Sequence, residues 1–386
     1  MIAKDLKLQQ MYARRGLKKS RITTYNRVFQ RIYDISELTP SKLVQIARDE
    51  QRPKIVNNQL EFKEIEDRTI TQVQYDLYYL LQELGLKPST VRSELSAYRA
   101  FLNEYDIQLP KAINIRVNQP LFEEGDLPKK EHILQAIRST NNKRNKAIIY
   151  FMSSSGIRPV DVRNFTIRDF LKGCQYYLDD DLTLENLYKS DYENFIPNFY
   201  FRPQKTSNFD NVCCTFCTPE TTVAIVNYLK TRHISSLDEP LFLSRYGNKM
   251  NRSTFISMFQ RINDKEFGSN SKGERFFQAK YLRKYFINTC NRNSGDLLKV
   301  RLLAGHTLAD IDRAYNEISI PVMRVFYTKL IPYLSLHDTS VKTVKTKEYM
   351  DLEKKLERQQ LENEKLKDEL DDRINSAIEN VLNRYK

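Results

Sequence analysis

Apolar residues recur three and four positions apart between residues 23 and 109, a spacing typical of amphipathic helices. The recurring residues are Tyr25, Val28 and Phe29, followed by Val73, Leu77, Leu80 and Leu81. Lys87-Pro88-Ser89-Thr90 precedes another such repeat, which ends near Tyr105, and therefore predicts a helix start. Because strand patterns are scarce here, we expect residues 1–110 to form a small all-helical domain.

Residues 111–128 separate this region from a second one. They contain Pro120, Gly125 and Pro128 and show little periodicity, as is typical of an extended linker. Helical patterns resume at Lys129 and continue, with interruptions, to about residue 335. The sequence therefore predicts two domains joined by a linker, at 1–110, 111–128 and 129–335.

The second domain is predicted to be mainly helical with a small antiparallel sheet. Phe199-Tyr200-Phe201 and Val212-Cys213-Cys214-Thr215-Phe216 are strand-like, and the polar residues between them indicate a hairpin turn. Lys205 would lie at the start of that turn. Residues 172–196 carry six acidic side chains, so we interpret them as a solvated insertion. Helical patterns also cover residues 219–229, 252–262, 279–290 and those beyond 320.

The C-terminal residues 345–386 are highly charged and carry apolar residues at heptad spacing. These residues are Tyr349, Leu352, Leu356, Leu366 and Leu370. Asn363 falls at an a-type position of the seam, where a buried asparagine often sets register and oligomer number. The pattern predicts a short coiled coil, and a single helix packing back on its own protein is the alternative.

Charge points to a polyanionic partner. Lysine and arginine outnumber aspartate and glutamate by 62 to 49, which gives a formal charge of +13. Residues 1–31 alone carry nine basic side chains and one acidic one. Such a balance favours nucleic acid, although a solvated basic face is the alternative explanation. No apolar run approaches the roughly 20 residues of a membrane span and no signal peptide is evident, so we expect a cytoplasmic protein without membrane contact.

The cysteines and histidines indicate neither a disulfide framework nor a metal site. Five cysteines are few and irregularly spaced for a chain of 386 residues. Cys213, Cys214 and Cys217 cluster, but no nearby fourth ligand completes a zinc set. We interpret the cluster as part of a buried strand and expect no metal and no cofactor.

Four spaced motifs resemble those of the tyrosine recombinase family. Ser155-Gly156-Ile157-Arg158-Pro159-Val160-Asp161 is similar to the family's first arginine box, and Arg202-Pro203-Gln204-Lys205-Thr206 to its hairpin lysine. Ala279-Lys280-Tyr281-Leu282-Arg283 resembles the His-x-x-Arg box, with lysine in the histidine place as in integrases of some archaeal viruses. Gly305-His306-Thr307 through Ala314-Tyr315 resembles the closing motif, with tyrosine nine residues beyond histidine.

This resemblance covers roughly residues 15–330 and implies a site-specific recombinase, or integrase. Such an enzyme cleaves and rejoins duplex DNA through a 3′-phosphotyrosyl intermediate, and here Tyr315 would be the nucleophile. The helical first domain would be a core-binding DNA-binding domain and the second the catalytic domain. The family implies two proteins at each recombination site and a tetramer in the synapse. Integration or excision of a mobile element, in a prokaryotic or viral setting, would be the role.

The resemblance also assigns roles to the remaining site residues. Arg158 and Arg283 would hold the nonbridging phosphate oxygens, because a guanidinium donates paired hydrogen bonds and stays charged. Lys205 would protonate the departing 5′-oxygen, and His306 would hydrogen-bond the phosphate. Lys280 would supply a further positive charge. Breaking a phosphodiester bond without a metal requires this combination of nucleophile, cationic donors and acid.

Several alternatives remain open at this point. Tyr327 is a rival nucleophile, although its apolar neighbours favour a packing role. A type IB topoisomerase would use similar chemistry, and an inactive recombinase-derived DNA-binding protein would explain lysine at position 280. A basic coiled-coil transcription factor would explain the charge and the tail, but no continuous basic helix precedes the leucine seam.

Overall fold

The computed structural model of the chain describes residues 2–56, 59–117, 122–123, 125–178, 182–205, 211–308, 319–337 and 359. The chain divides into two compact units, Met1–Leu121 and Phe122–Lys386. The division falls within the segment 111–128, for which the sequence predicts a linker. No helix in the described ranges is both long enough and apolar enough to cross a membrane.

In its described residues the first unit contains five α-helices around one apolar core. They are α1 (Leu6–Arg14), α2 (Lys19–Ser36), α3 (Pro40–Gln51), α4 (Thr69–Glu83) and α5 (Pro88–Glu104). The apolar stripes predicted from the sequence face inward, and the rings of Phe29 and Phe101 meet edge to face at 4.4 Å in the core. Pro88 occupies the first turn of α5, as the sequence predicts.

The expectation that this unit is all helical is wrong at one place. A short antiparallel hairpin, β1 (Lys54–Val56) and β2 (Gln59–Glu61), lies between α3 and α4, with Ile55 opposite Leu60. Both of these side chains are mostly exposed, at 76% and 63%. Each strand has only three residues, which is too few for a period of two to be told apart from chance in the sequence.

The second unit is mainly helical with a two-stranded antiparallel sheet, which confirms the predicted fold class. Its helices are α6 (Lys130–Arg138), α7 (Lys143–Ser155), α8 (Pro159–Val162), α9 (Ile167–Cys174), α10 (Leu184–Lys189), α11 (Pro219–Leu229), α12 (Arg252–Glu266), α13 (Ala279–Ser294), α14 (Leu297–Leu303) and α15 (Ile320–Leu334). The strands β3 (Asn198–Phe201) and β4 (Cys213–Phe216) pair with Phe199 opposite Thr215. Helix α7 is buried along its apolar stretch and packs against α11 and α13.

The interpretation of residues 172–196 as a solvated insertion is wrong for the described residues, 172–178 and 182–196. Within this segment α9 ends, α10 forms, and Leu178, Leu187, Phe195 and Ile196 are buried. Phe195 stacks on Tyr177 with ring centroids 4.4 Å apart. The acidic residues suggested a loop because they dominate the composition, but the apolar residues between them supply enough buried surface to join the core.

Two further predictions concern the cysteines and the tail. Cys213 and Cys214 lie in β4 and are buried, in agreement with the strand interpretation, and both are free thiols. The predicted coiled coil at 345–386 lies outside the described residues except for Gln359, so it stays a prediction.

Candidate active site

Arg158 is held at a tight junction between α7 and α8. Helix α7 ends at Ser155, and Gly156 adopts a left-handed conformation with φ of +63°. A Cβ atom at this position would overlap the buried ring of Phe286, so glycine is required for both backbone and packing reasons. Pro159 then begins α8 and leaves Arg158, partly buried, at the helix N-terminus.

Arg158 and Arg283 converge on one turn from different parts of the chain. Arg283 extends from the second turn of α13 and donates from Nη1 to the Gly156 carbonyl at 2.5 Å and from Nη2 to the Ala304 carbonyl at 2.6 Å. Arg158 donates from Nη2 to the Gly305 carbonyl at 2.8 Å. A guanidinium has five N–H donors, so these bonds orient both side chains and leave donor capacity for a further acceptor.

His306 lies in this turn, which comprises residues 304–307 and is called the His306 turn below. The turn follows α14, with the His306 N–H donating to the Arg301 carbonyl at 3.0 Å. Gly305 has φ of +58°, and a Cβ there would lie 2.8 Å from the Cβ of Cys213. Partial burial, together with the charges of Arg283, Arg158 and Arg301, lowers the pKa of His306 to about 4. The imidazole is therefore neutral near pH 7.

Positive charge at this site is only partly balanced. Asp161 is buried, and burial raises the pKa of its carboxyl above its ordinary value, although the backbone bond from Gln204 and the charges of Arg158, Arg283 and Arg163 act in the opposite direction. Its Oδ2 has no hydrogen-bond partner within the described part of the chain. Burial and the neighbouring charge of Arg158 lower the pKa of Arg283 to about 10, so the guanidinium remains protonated but is destabilised. A bound anion would relieve this repulsion.

The hairpin places Lys205 beside α8, the short helix that begins directly after Arg158. The backbone N–H of Gln204 donates to Asp161 Oδ1 at 2.9 Å, and Asn164 Nδ2 donates to the Gln204 side-chain oxygen at 3.0 Å. Lys205 follows directly and is exposed. At the other end of the hairpin loop, Asn211 Nδ2 donates to Thr307 Oγ1 at 2.8 Å. Residues 206–210 between these anchors lie outside the described ranges.

Lys280 is engaged by a carboxylate in this structure. Its Nζ lies 2.6 Å from Glu274 Oε2, and the hydroxyl of Tyr281 donates to the same oxygen at 2.7 Å. Partial burial alone would lower the pKa of Lys280, but the bond to Glu274 and the neighbouring Tyr281 outweigh it and raise the pKa. The ammonium is thus paired with an acid, whereas the guanidinium groups of Arg158 and Arg283 face backbone carbonyls.

Tyr315, the predicted nucleophile, lies outside the described residues, which resume at residue 319 before α15. The rival Tyr327 is described. It is fully buried in α15, donates its hydroxyl to the Ser154 carbonyl at 2.8 Å, and has a pKa raised well above its ordinary value, mainly by burial. A phenol in this environment is a packing residue, because it has neither solvent access nor a means of losing its proton.

The contacts of three residues that organise the site were not predicted from the sequence. Asn211 and Thr307 are separated by 96 positions and Glu274 lies in the loop before α13, so none shares a periodic pattern with its partner. A polar residue inside a predicted strand hairpin was the only available signal for Asn211. No group of three or more His, Cys, Asp or Glu side chains in the described ranges is arranged to hold a metal ion.

Comparison with known proteins gives structural rather than sequence similarity. Neither a protein-family model nor a curated protein sequence matches this chain. XerA recombinase is 16% identical over 84% of this chain and 96% of its own, with a TM-score of 0.35. The Tn1549 transposon integrase, solved in complex with circular intermediate DNA, is 16% identical over 83% and 96%, with a TM-score of 0.47. A lambda integrase dimer bound to a core site is 14% identical over 81% and 96%, with a TM-score of 0.43.

Proposed function

We propose that this protein is a tyrosine recombinase, which cleaves and rejoins duplex DNA through a covalent 3′-phosphotyrosyl bond to Tyr315. The observation that carries the proposal is that Arg158 and Arg283 both contact the turn that contains the neutral His306. Asp161 balances the charge of the two arginines only in part. Two partly buried guanidinium groups in such a setting favour an anion with several oxygens, such as a phosphodiester.

The proposed reaction needs no metal and no cofactor. The Tyr315 oxygen attacks phosphorus, the bond from phosphorus to the 5′-oxygen breaks, and the phenol proton passes to solvent. Arg158 and Arg283 donate to the nonbridging oxygens as negative charge develops on them, and neutral His306 donates an N–H to the same phosphate. The ammonium of Lys205 gives a proton to the departing 5′-oxygen. Rejoining is the reverse sequence.

Lys280 has a supplementary role in this proposal. Because its ammonium pairs with Glu274, it has to leave that carboxylate before it contacts a phosphate. Its position one helical turn before Arg283 on α13 supports such a contact. The lysine therefore adds positive charge beside the site, and the two arginines carry the phosphate binding.

The broader role follows from the motifs and the charge. Site-specific exchange at duplex DNA, with a tetrameric synapse, is supported by the four spaced motifs and by the formal charge of +13. We further propose that the protein integrates or excises a mobile element and works in the cytoplasm with host DNA. The predicted tail at 345–386 would contribute to assembly.

The first experiment tests for the covalent intermediate. Nicked, end-labelled duplexes tiled across the DNA that flanks the coding gene are incubated with the protein in a chelator, denatured and analysed for a protein–DNA adduct. We expect an adduct with the wild-type chain and none with Tyr315→Phe. Tyr333→Phe is the matched control, because Tyr333 lies on α15 with 51% of its surface exposed and should leave the adduct unchanged.

A second pair of variants tests the arginine site. Arg283→Lys keeps the charge but loses the paired donors, and we expect adduct formation to slow by about 10²–10³-fold. Arg275→Lys is the control, since Arg275 is an exposed partner of Asp264 just before α13. Tight DNA binding with no adduct in any sample would replace the proposal with an inactive DNA-binding protein. Relaxation of a supercoiled plasmid without strand exchange would indicate a topoisomerase.

A further inference from the structure

The residues on either side of the segment 206–210 form hydrogen bonds to the candidate active site. On the Lys205 side, Gln204 bonds through its backbone N–H to Asp161 at 2.9 Å. On the far side, Asn211 bonds through its side-chain amide to Thr307 at 2.8 Å. Asp161 belongs to the segment that carries Arg158, and Thr307 is the residue after His306. The hairpin is therefore attached to the two segments that supply the phosphate donors.

The attachment at Asn211 is specific in its geometry. Asn211 is 4% exposed, and a primary amide buried to this degree needs hydrogen-bond partners to offset the loss of water. Thr307 itself is exposed, so its hydroxyl contributes little through burial. The bond between them thus constrains the position of the hairpin more than it stabilises the core.

Close packing beneath this bond reinforces the constraint. The thiol of Cys213 donates to the Leu303 carbonyl at 3.2 Å, and Gly305 has space for no Cβ between Cys213 and Pro203. The base of the hairpin and the His306 turn therefore meet without a gap, and a shift of one would displace the other.

We infer that Asn211 and Thr307 are positioning residues that hold the hairpin in register with the His306 turn, so that Lys205 reaches the departing 5′-oxygen. This inference rests on the proposed function. Proton transfer requires the ammonium to approach the oxygen to about 3 Å, a condition that a flexible lysine on an untethered loop meets only part of the time. The bonds at Gln204 and Asn211 therefore limit how far Lys205, which directly follows Gln204, lies from the His306 turn.

The proton step itself provides the test. When the Tyr315 oxygen forms its bond to phosphorus, the bond to the 5′-oxygen breaks and the oxygen takes a proton from Lys205 Nζ, which becomes neutral. If sulfur replaces that bridging oxygen, the leaving group is a thiolate, which is a far weaker base than an alkoxide and departs without the proton. A defect that acts through Lys205 therefore disappears with the sulfur substrate, whereas a general defect in the fold persists.

The experiment measures single-turnover cleavage of a nicked duplex that forms the adduct, with oxygen or sulfur at the 5′ bridging position. We expect Lys205→Ala to slow cleavage of the oxygen substrate by about 10²–10⁴-fold and Thr307→Val to slow it by about tenfold or more. Both variants should cleave the sulfur substrate at close to the wild-type rate. Thr307→Ser, which retains the hydroxyl, should restore cleavage of the oxygen substrate.

A double substitution distinguishes an effect on the position of the hairpin from an effect on the stability of the fold. Asn211→Leu combined with Thr307→Val removes both polar partners, so it should fold with little loss of stability and yet keep the oxygen-specific defect. Thr222→Val is the matched control: it removes a buried hydroxyl that donates to the Phe195 carbonyl, and any slowing it causes should be equal on both substrates.

The outcomes distinguish the inference from the proposed function. Equal slowing of Thr307→Val on both substrates, with Lys205→Ala still rescued by sulfur, would overturn the inference and leave the proposed function intact. Undiminished cleavage of the oxygen substrate by Thr307→Val and by the double variant would also overturn it. Failure of the wild-type chain to cleave either substrate would contradict the proposed function itself.

Discussion

At the scale of single residues, the candidate site is governed by uncompensated positive charge. Arg283 is held by two backbone carbonyls and lies near Arg158, and burial together with this like charge lowers its pKa to about 10. Partial burial and the same arginines together depress the pKa of His306. The like-charge part of each effect costs free energy in the unliganded protein, and an anion in the site would offset it. The charges of the site therefore favour an anion, as the proposed phosphate contact requires.

The titration of His306 provides a direct test of this phosphate contact. We expect its pKa to be near 4 in the free protein and to rise when a short nicked duplex is bound by the Tyr315→Phe variant, because the phosphate charge offsets the two arginines. Imidazole proton resonances followed by NMR between pH 3.5 and 8 would report both values, and His306→Gln would assign the signal. An unchanged pKa on DNA binding would contradict the placement of phosphate beside His306.

The depressed pKa also has a consequence for stability. The unfolded chain protonates His306 near its ordinary value of 6.5, whereas the folded chain resists protonation until about pH 4. The contribution of the neutral side chain to stability is therefore complete above pH 6.5 and is lost as the pH falls from there towards 4. In that window the free energy of unfolding should fall more steeply for the wild-type chain than for His306→Gln.

At the scale of elements, a glycine at the end of α7 allows this helix to lie close to α13. Gly156 has a positive φ and lies against Phe286 of α13. The two helices therefore approach each other near Arg158, which follows α7, and Arg283, which extends from α13. Gly295 also has a positive φ, of +66°, at the end of α13, but no atom lies within 4 Å of a Cβ built there. A side chain at Gly295 would therefore meet only backbone strain, whereas one at Gly156 would meet both backbone strain and steric overlap.

Alanine substitutions at these two glycines should differ in magnitude. Gly295→Ala should lower the free energy of unfolding by about 1–2 kcal/mol, from the left-handed backbone alone. Gly156→Ala should lower it by about 1–3 kcal/mol more, because Phe286 must also move, and should slow adduct formation. Urea unfolding and single-turnover cleavage would measure both effects. Equal losses at the two positions would mean that the junction tolerates the extra methyl group.

At the scale of the whole molecule, the chain combines two compact units with a charged C-terminal segment. The sequence of residues 345–386 predicts a coiled coil with Asn363 in its seam, and such a segment would join copies of the chain. Recombination requires several copies on paired sites, whereas cleavage of one nicked duplex requires only one active site. Assembly and chemistry should therefore be separable.

Deletion of residues 345–386 should separate them. We expect the truncated chain to sediment as a smaller species than the full chain, because the seam is lost, and to exchange strands between paired sites poorly. It should still form the Tyr315 adduct on a single nicked duplex. Unchanged sedimentation and unchanged exchange would instead support a tail helix that packs back on its own protein.

The sequence by itself determined most of the helices and the order of the site motifs. Helical periodicity is local, because each apolar stripe depends on residues three or four positions apart, and α5, α11 and α13 lie where it predicts. Local signals of this kind are complete within a short stretch of chain.

The tertiary structure decided what the side chains of the site contact. It paired Lys280 with Glu274, joined Asn211 to Thr307, buried Tyr327 and placed apolar residues of the segment 172–196 in the core. These outcomes depend on which segments meet after folding, and the partners lie far apart in the sequence or share no period. Hydrogen bonds between distant residues and the burial of side chains arise only when those segments pack together, whereas periodicity is already present in the amino-acid sequence.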